Sequence, residues 1–128
     1  MKDTKKLNHS SPEFKNIQLL FSNISYYKLT DVEVVFNPYL KKKFELRRQL
    51  VFGGIQPIRL FHGTKEKYID SICNHNFDWR CYRRNRHRYG KGVNFTPDIG
   101  YAAIYCDKRK GKIMIMADVL VKKDSSWQ

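Results

Sequence analysis

The run KIMIMADVLV, Lys112 to Val121, sets the first constraint on the fold. Its near-continuous apolar character is the pattern of a strand covered on both faces, so it reads as a long central strand. Its ten residues fall well short of the roughly 20 that a membrane-spanning helix needs. With 128 residues, 41% hydrophobic and 14% aromatic, the chain has material for one ordinary core around such a strand, and a single domain is expected.

The remaining elements follow from local signals. LTDVEVVF, Leu29 to Phe36, is rich in β-branched residues and reads as a strand with Val32 and Val34 on one face. Ile58 to His62 and Val93 to Phe95 read as shorter strands. Ser10 stands three residues before Glu13 at capping-box spacing, Pro12 suits a first helical turn, and Phe14, Ile17 and Phe21 follow at helical spacing. Asn37 and Pro38 open a second helix that places Leu40, Phe44 and Val51 on one side and ends at Gly53 and Gly54. Its three lysines, Arg47 and Arg48 read as a solvated opposite face. Thr64 is positioned to cap a third helix running through Cys73, with Tyr68, Ile69 and Ile72 inward, and Asp98 to cap a fourth reaching about Tyr105. Residues 1–9 are polar and are expected to be a flexible lead-in to a domain covering residues 10–128.

Lys and Arg number 25 against 12 Asp and Glu, a net charge of +13. Such a surface attracts phosphates, whether of nucleic acid, of an acidic membrane or of a nucleotide. The strongest local concentration is RCYRRNRHRYGK, Arg80 to Lys91, with six Lys or Arg and no acid, which reads as an exposed loop or the rim of a site. Cys73, Cys81 and Cys106 are odd in number and form no CxxC pair, so a disulfide framework is not indicated and a reducing compartment fits. The N-terminus lacks the apolar core of a signal peptide, and no lipidation motif is present, so the expected location is the nucleus or cytoplasm with no membrane partner. The sequons at Asn8 and Asn23 are then unused.

Candidate chemistry is sparse. Cys73, His75, Cys81 and His87 are ligand-type residues in a short span, but their spacing matches no common zinc pattern, and no metal site is expected. No cysteine carries the flanking residues of a protease nucleophile. YGKGVNF has only a G-x-G, short of a dinucleotide fingerprint. His62, at the end of an apolar strand and directly before Gly63, has two readings on the residues alone. It packs as a satisfied structural histidine, or it offers its imidazole to a ligand that the glycine lets approach the backbone.

In order and spacing, LFHGT before a helix, then HNFDWR, YGKGVNF and AAIYC resemble the catalytic domain of poly(ADP-ribose) polymerase-like ADP-ribosyltransferases. NFDWR resembles most the mono-ADP-ribosylating branch whose members often carry CCCH zinc fingers and a WWE module. SPEFKNIQLLF and NPYLKKKFELRR are similar to that domain's first helix and its following NP helix. The resemblance covers about Ser10 to Val121. It implies an α+β fold: a split, mostly antiparallel sheet with flanking helices, here truncated at the C-terminus. It further implies a pentosyltransferase that uses NAD as co-substrate, moves ADP-ribose to an acceptor protein or to itself, and releases nicotinamide.

Carried over position by position, the resemblance makes His62 the histidine that hydrogen-bonds a hydroxyl of the adenosine ribose. Gly63 matches the glycine whose backbone clamps the nicotinamide carboxamide, and Tyr105 the tyrosine that stacks on its ring. Thr64, Tyr89, Gly92, Phe95 and Ala102 fall on neighbouring cofactor-binding positions, and Asn94, with His62, on a catalytic one. Little acid-base chemistry is needed, because the nicotinamide ring is already cationic in NAD and leaves as a neutral molecule, so positioning and electrostatics carry the reaction. Arg83, Arg84, Arg86 and Arg88 suit the diphosphate, or RNA and other polyanions.

Three features depart from the family pattern. Asn94 replaces a tyrosine, Ala102 replaces a common serine, and the chain ends before the third motif position. A second reading therefore stands beside the transferase: a weak or silent module on the same fold, binding RNA or nucleotide through its basic surface.

Overall fold

A computed structural model describes residues 2–22, 27–76, 95–107 and 112–121. In chain order the elements are β1 (Asp3–Lys6), α1 (Pro12–Phe21), β2 (Glu33–Phe36), α2 (Pro38–Leu50), β3 (Ile58–Gly63), α3 (Glu66–His75), α4 (Ile99–Ala103) and β4 (Met114–Val119). The strands make two antiparallel pairs, β1 with β2 and β3 with β4. The architecture is α+β, with small antiparallel sheets and flanking helices, as the sequence led us to expect. Among the described residues, no helix is long and apolar enough to cross a membrane.

Residues 3–6 form a strand, where a loose lead-in was expected. Asp3 to Lys6 pair with Phe36 to Glu33, and the Leu7 N–H extends the ladder to the Val32 carbonyl at 2.9 Å. All four side chains are exposed, so backbone pairing alone defines β1, and such a strand leaves no hydrophobic alternation to read. Its partner β2 begins four residues later than expected, and Val34 points to solvent rather than into a core. Just before β1, Lys2 reaches Asp70 on α3 at 3.0 Å.

The helix caps are mostly local. Ser11, not Ser10, caps α1 by accepting from the Phe14 N–H at 3.1 Å, while Ser10 donates to Asn8 Oδ1. The expected capping box is thus shifted out of register by one residue. Pro12 occupies the first turn, Phe14 and Ile17 are buried, and Phe21 meets Phe61 edge-on at 6.4 Å. Asn37 caps α2 through Oδ1, which accepts from the Leu40 N–H at 3.2 Å. The Asn37 amide also donates to the carbonyls of Cys73 and Asn74 at 3.1 and 3.2 Å, closing the C-terminus of α3 with the same side chain. Gly53 and Gly54, at φ of +65° and +78°, turn the chain out of α2 in a conformation that a β-carbon would strain.

Arg48 is not part of a solvated face. Its Nη1 donates to the carbonyls of Gly54 and Ile55 at 2.8 and 2.9 Å, and its Nε to Glu45 at 3.2 Å. The side chain is pinned where the helix ends, satisfying carbonyls of the glycine turn. Val51, expected inward, is exposed.

The core sits on the β3–β4 pair. Phe61 is opposite Met116 and Gly63 opposite Met114, so these four residues share one sheet face. Phe61, Ile99 and Ala102 form the buried cluster there, with Phe21, Met114 and Met116 against it. His62 and Leu60 alternate to the other face.

Candidate active site

The site is built where β3 ends against α4. Asp98 caps α4 by accepting from the Tyr101 N–H at 3.2 Å, and Thr96 Oγ1 accepts from the Asp98 N–H at 3.0 Å. Upstream, Thr96 exchanges both backbone hydrogen bonds with Phe61, at 2.8 and 3.0 Å, fixing this segment along β3. The regular helix stops at Ala103. Beyond it, the N–H groups of Ile104, Tyr105 and Cys106 bond to carbonyls earlier in the same stretch, each three residues back, a tightened final turn that carries Tyr105 and Cys106.

His62 is 3% exposed, and its ring lies tilted at 54° to Phe95 with centroids 5.7 Å apart. Thr64 is also buried, but it does not cap α3 as expected. The residue in the capping position is Lys65, whose side chain makes no cap bond, and the Glu66 N–H is taken instead by Asp107 Oδ2 at 2.9 Å. A carboxylate at a helix N-terminus answers both the free N–H and the helix dipole. Because Asp107 lies just past Cys106, this bond ties the start of α3 to the turn that carries Tyr105.

Gly63 has a structural reason to be glycine. A β-carbon there would fall inside the Ala102 carbonyl and 3.3 Å from Cys106 Sγ. Ala102 is buried in the core cluster, and its small methyl allows the close approach. Cys106 is buried too. Its thiol donates to the Ile113 carbonyl at 3.2 Å, and burial pushes its pKa up, with a Thr64 backbone hydrogen bond and Lys112 opposing that shift. Such a thiol is a packed group rather than a nucleophile. Tyr105 is half out in solvent, with its hydroxyl 3.2 Å from that of Tyr101 and the two rings edge to face at 5.5 Å.

The structure thus brings Gly63, Thr64, Ala102 and Tyr105 to one β3–α4 junction, while the His62 ring packs beside Phe95 on the other face of β3. Tyr89, Gly92 and Asn94 lie outside the described residues, as do Arg83, Arg84, Arg86 and Arg88. Three participants escaped sequence reasoning: Asp107, Cys106 and Tyr101. Of these, only the four-residue spacing of Tyr101 and Tyr105 offered a signal. Among the described residues, no three His, Cys, Asp or Glu side chains converge as metal ligands would. A groove of about 420 Å³ lies elsewhere, between α2 and the far end of the β3–β4 pair, and is lined by Lys41, Phe44, Glu45, Arg48, Gln56, Pro57 and Asp118. None of the expected site residues borders it, and its cations and acids balance, so it does not compete with the junction as the place of chemistry.

Comparison with known proteins fits this geometry. Residues 11–125 match the poly(ADP-ribose) polymerase catalytic domain family. The chain is 32% identical over 122 residues to human protein mono-ADP-ribosyltransferase PARP12 and 30% identical to its mouse counterpart, each alignment covering 90% of this chain and 17% of the relative. It is 31% identical over 99 residues to mouse protein mono-ADP-ribosyltransferase PARP10, covering 70% of this chain and 10% of that protein. The chain therefore spans under a fifth of the length of these relatives. With nearly all of its residues matched, it belongs to the poly(ADP-ribose) polymerase catalytic domain family.

Proposed function

We propose that residues 10–128 form part of the catalytic domain of an NAD-dependent protein mono-ADP-ribosyltransferase, of the branch that carries CCCH zinc fingers and a WWE module. One observation supports this most: Gly63, at the end of β3, stands hard against the Ala102 carbonyl of the helix that leads to Tyr105, directly after the buried His62. The named relatives are mono-ADP-ribosyltransferases, which supports the same reaction class here.

In this reading NAD is the substrate. The bond between C1′ of the nicotinamide ribose and the pyridinium nitrogen breaks, and nicotinamide leaves with the electron pair as a neutral molecule. A nucleophilic acceptor side chain forms the new bond to C1′ and releases its proton to solvent. His62 holds an adenosine-ribose hydroxyl, the Gly63 backbone orients the carboxamide, and Tyr105 gives an aromatic face to a flat cationic ring. Burial of His62 keeps water from competing for the hydroxyl it holds. The setting is nuclear or cytoplasmic, and the acceptor is another protein or the chain itself.

Ala102 favours a second reading. It has no hydroxyl to orient a carboxamide and is committed to core packing, which suits a weak or silent module that holds RNA or nucleotide by its cations, including Arg83, Arg84, Arg86 and Arg88. Intact mass after incubation with NAD separates the two. Discrete ADP-ribose additions in the wild type that vanish in His62→Ala are the expected result. Equal additions in His62→Ala refute the assignment of His62. No additions by a folded sample, with RNA binding that weakens steeply as salt rises, would establish the second reading instead.

A further inference from the structure

Among the described residues, α2 shows an unpartnered seam on its outer side. Tyr39, Lys43, Leu46 and Leu50 follow one another at spacings of four, three and four residues, the pattern of a coiled-coil contact line. All are exposed, Tyr39 at 65%, Leu46 at 52% and Leu50 at 80%. They lie within about a 60° sector of the helix and run about 16 Å along it, at 100° and 1.5 Å per residue. Two leucines and a tyrosine placed this way are not scattered surface residues. The opposite side of α2 is fixed, because Leu40, Phe44 and Arg48 are half-buried, Arg48 is pinned to the glycine turn, and Asn37 anchors the start of the helix to α3. The seam is a preformed surface.

The charges around it select the occupant. In heptad terms Lys42 and Arg47 flank the apolar line, at the positions where coiled coils place the ion pairs that choose partners. Lys43 lies in the line itself, its Nζ 5.3 Å from the Tyr39 ring centroid. Glu45, the acid of this helix, points away and is paired with Arg48. A second copy of the chain would set Lys42, Lys43 and Arg47 against their own duplicates. RNA would find leucines where it needs stacking or hydrogen-bonding groups. A membrane-surface helix needs a broad apolar face, whereas this stripe is one side chain wide.

We propose that α2 is a docking site for an amphipathic, acidic helix of a partner protein, which buries Tyr39, Leu46 and Leu50 and sets carboxylates against Lys42, Lys43 and Arg47. This surface is independent of the β3–α4 junction, so it stands or falls separately from the transferase reading. The test titrates the full chain into a labelled peptide about three heptads long, with leucine at the seam positions and glutamate on the flanks, read by fluorescence anisotropy. Saturable binding is expected. It should weaken at least tenfold with the Leu46→Ser/Leu50→Ser double variant, and likewise when the peptide's glutamates become lysines. Lys42→Glu/Arg47→Glu should reverse the preference, favouring the basic peptide. Circular dichroism confirms that each variant is folded. The proposal is overturned by equal binding of both peptides, by binding indifferent to the two leucines, or by no saturable binding. It is equally overturned if these leucines mediate dimerisation of the chain, or attachment to phosphatidylserine vesicles or single-stranded RNA, more strongly than peptide binding.

Discussion

Replacing Asn37 by aspartate separates the two jobs of one amide. The side chain is 7% exposed, accepts one hydrogen bond to cap α2 and donates two to the end of α3. Asn37→Ala removes all three. The cap is worth about 1 kcal/mol and each donated bond about 0.5–1.5 kcal/mol, so a loss of about 2–4 kcal/mol is expected, nearly constant with pH. Asn37→Asp keeps the cap, since aspartate caps as well as asparagine. It loses the two donors, about 1–3 kcal/mol, and sets an ionised carboxylate against the carbonyls of Cys73 and Asn74. The two carbonyls and the burial disfavour the charge and outweigh the single cap N–H and the α2 dipole that favour it, so the folded-state pKa of the new carboxyl is expected above its unfolded value of about 3.9. A raised folded pKa means that the relief is fully present below the unfolded value and is lost as pH rises through the folded one. The deficit of Asn37→Asp relative to wild type should therefore grow from about pH 4 to about pH 8, while that of Asn37→Ala stays flat. Urea unfolding followed by far-ultraviolet circular dichroism measures both. The reasoning is refuted if Asn37→Asp lies within about 0.5 kcal/mol of wild type at the higher pH, or if its deficit does not change with pH.

Other positions give shorter tests. Gly63→Ala must push α4 away from β3, and a loss of about 1–3 kcal/mol is expected from overpacking; a melting temperature equal to wild type would show that the junction is looser than described. Asp107→Ala leaves the Glu66 N–H without its carboxylate, at a cost of about 1 kcal/mol with Asp107→Asn intermediate, measured by urea unfolding. Cys106, with its pKa raised by burial, should resist iodoacetamide at neutral pH in the native protein and react only after denaturation or well into the alkaline range, as peptide mapping would show; labelling of native protein at the rate of a free thiol would contradict its burial. Under the proposed transferase activity, Tyr105→Ala removes the stacking face and should lower ADP-ribose incorporation about tenfold, whereas Tyr105→Phe retains most of it.

What the sequence determined by itself lies within a few residues of each signal. Asn37 before Pro38, Asp98 before Ile99, and the Gly53–Gly54 stop act through hydrogen bonds or dihedral limits three to six residues long, so spacing alone locates α2 and the start of α4. The apolar runs of β3 and β4 declare two strands, and the ordered motifs around His62, Gly63 and Tyr105 announce a family. β4, however, covers only Met114–Val119, is half-buried and pairs among the described residues with β3 alone, so it is not the long, doubly covered central strand expected. Tertiary structure decided what depends on segments far apart in the chain. The polar residues of β1 become a strand only because β2 offers its edge, and the carboxylate that caps α3 comes from Asp107, beyond α4. Arg48 leaves the solvated face because the glycine turn aims two carbonyls at it. Gly63 shows the distinction most plainly: the sequence marks a glycine beside a histidine, but only the packed chain brings the Ala102 carbonyl so close that no β-carbon fits. Local chemistry is encoded at short range, whereas close approach is a property of the assembled fold.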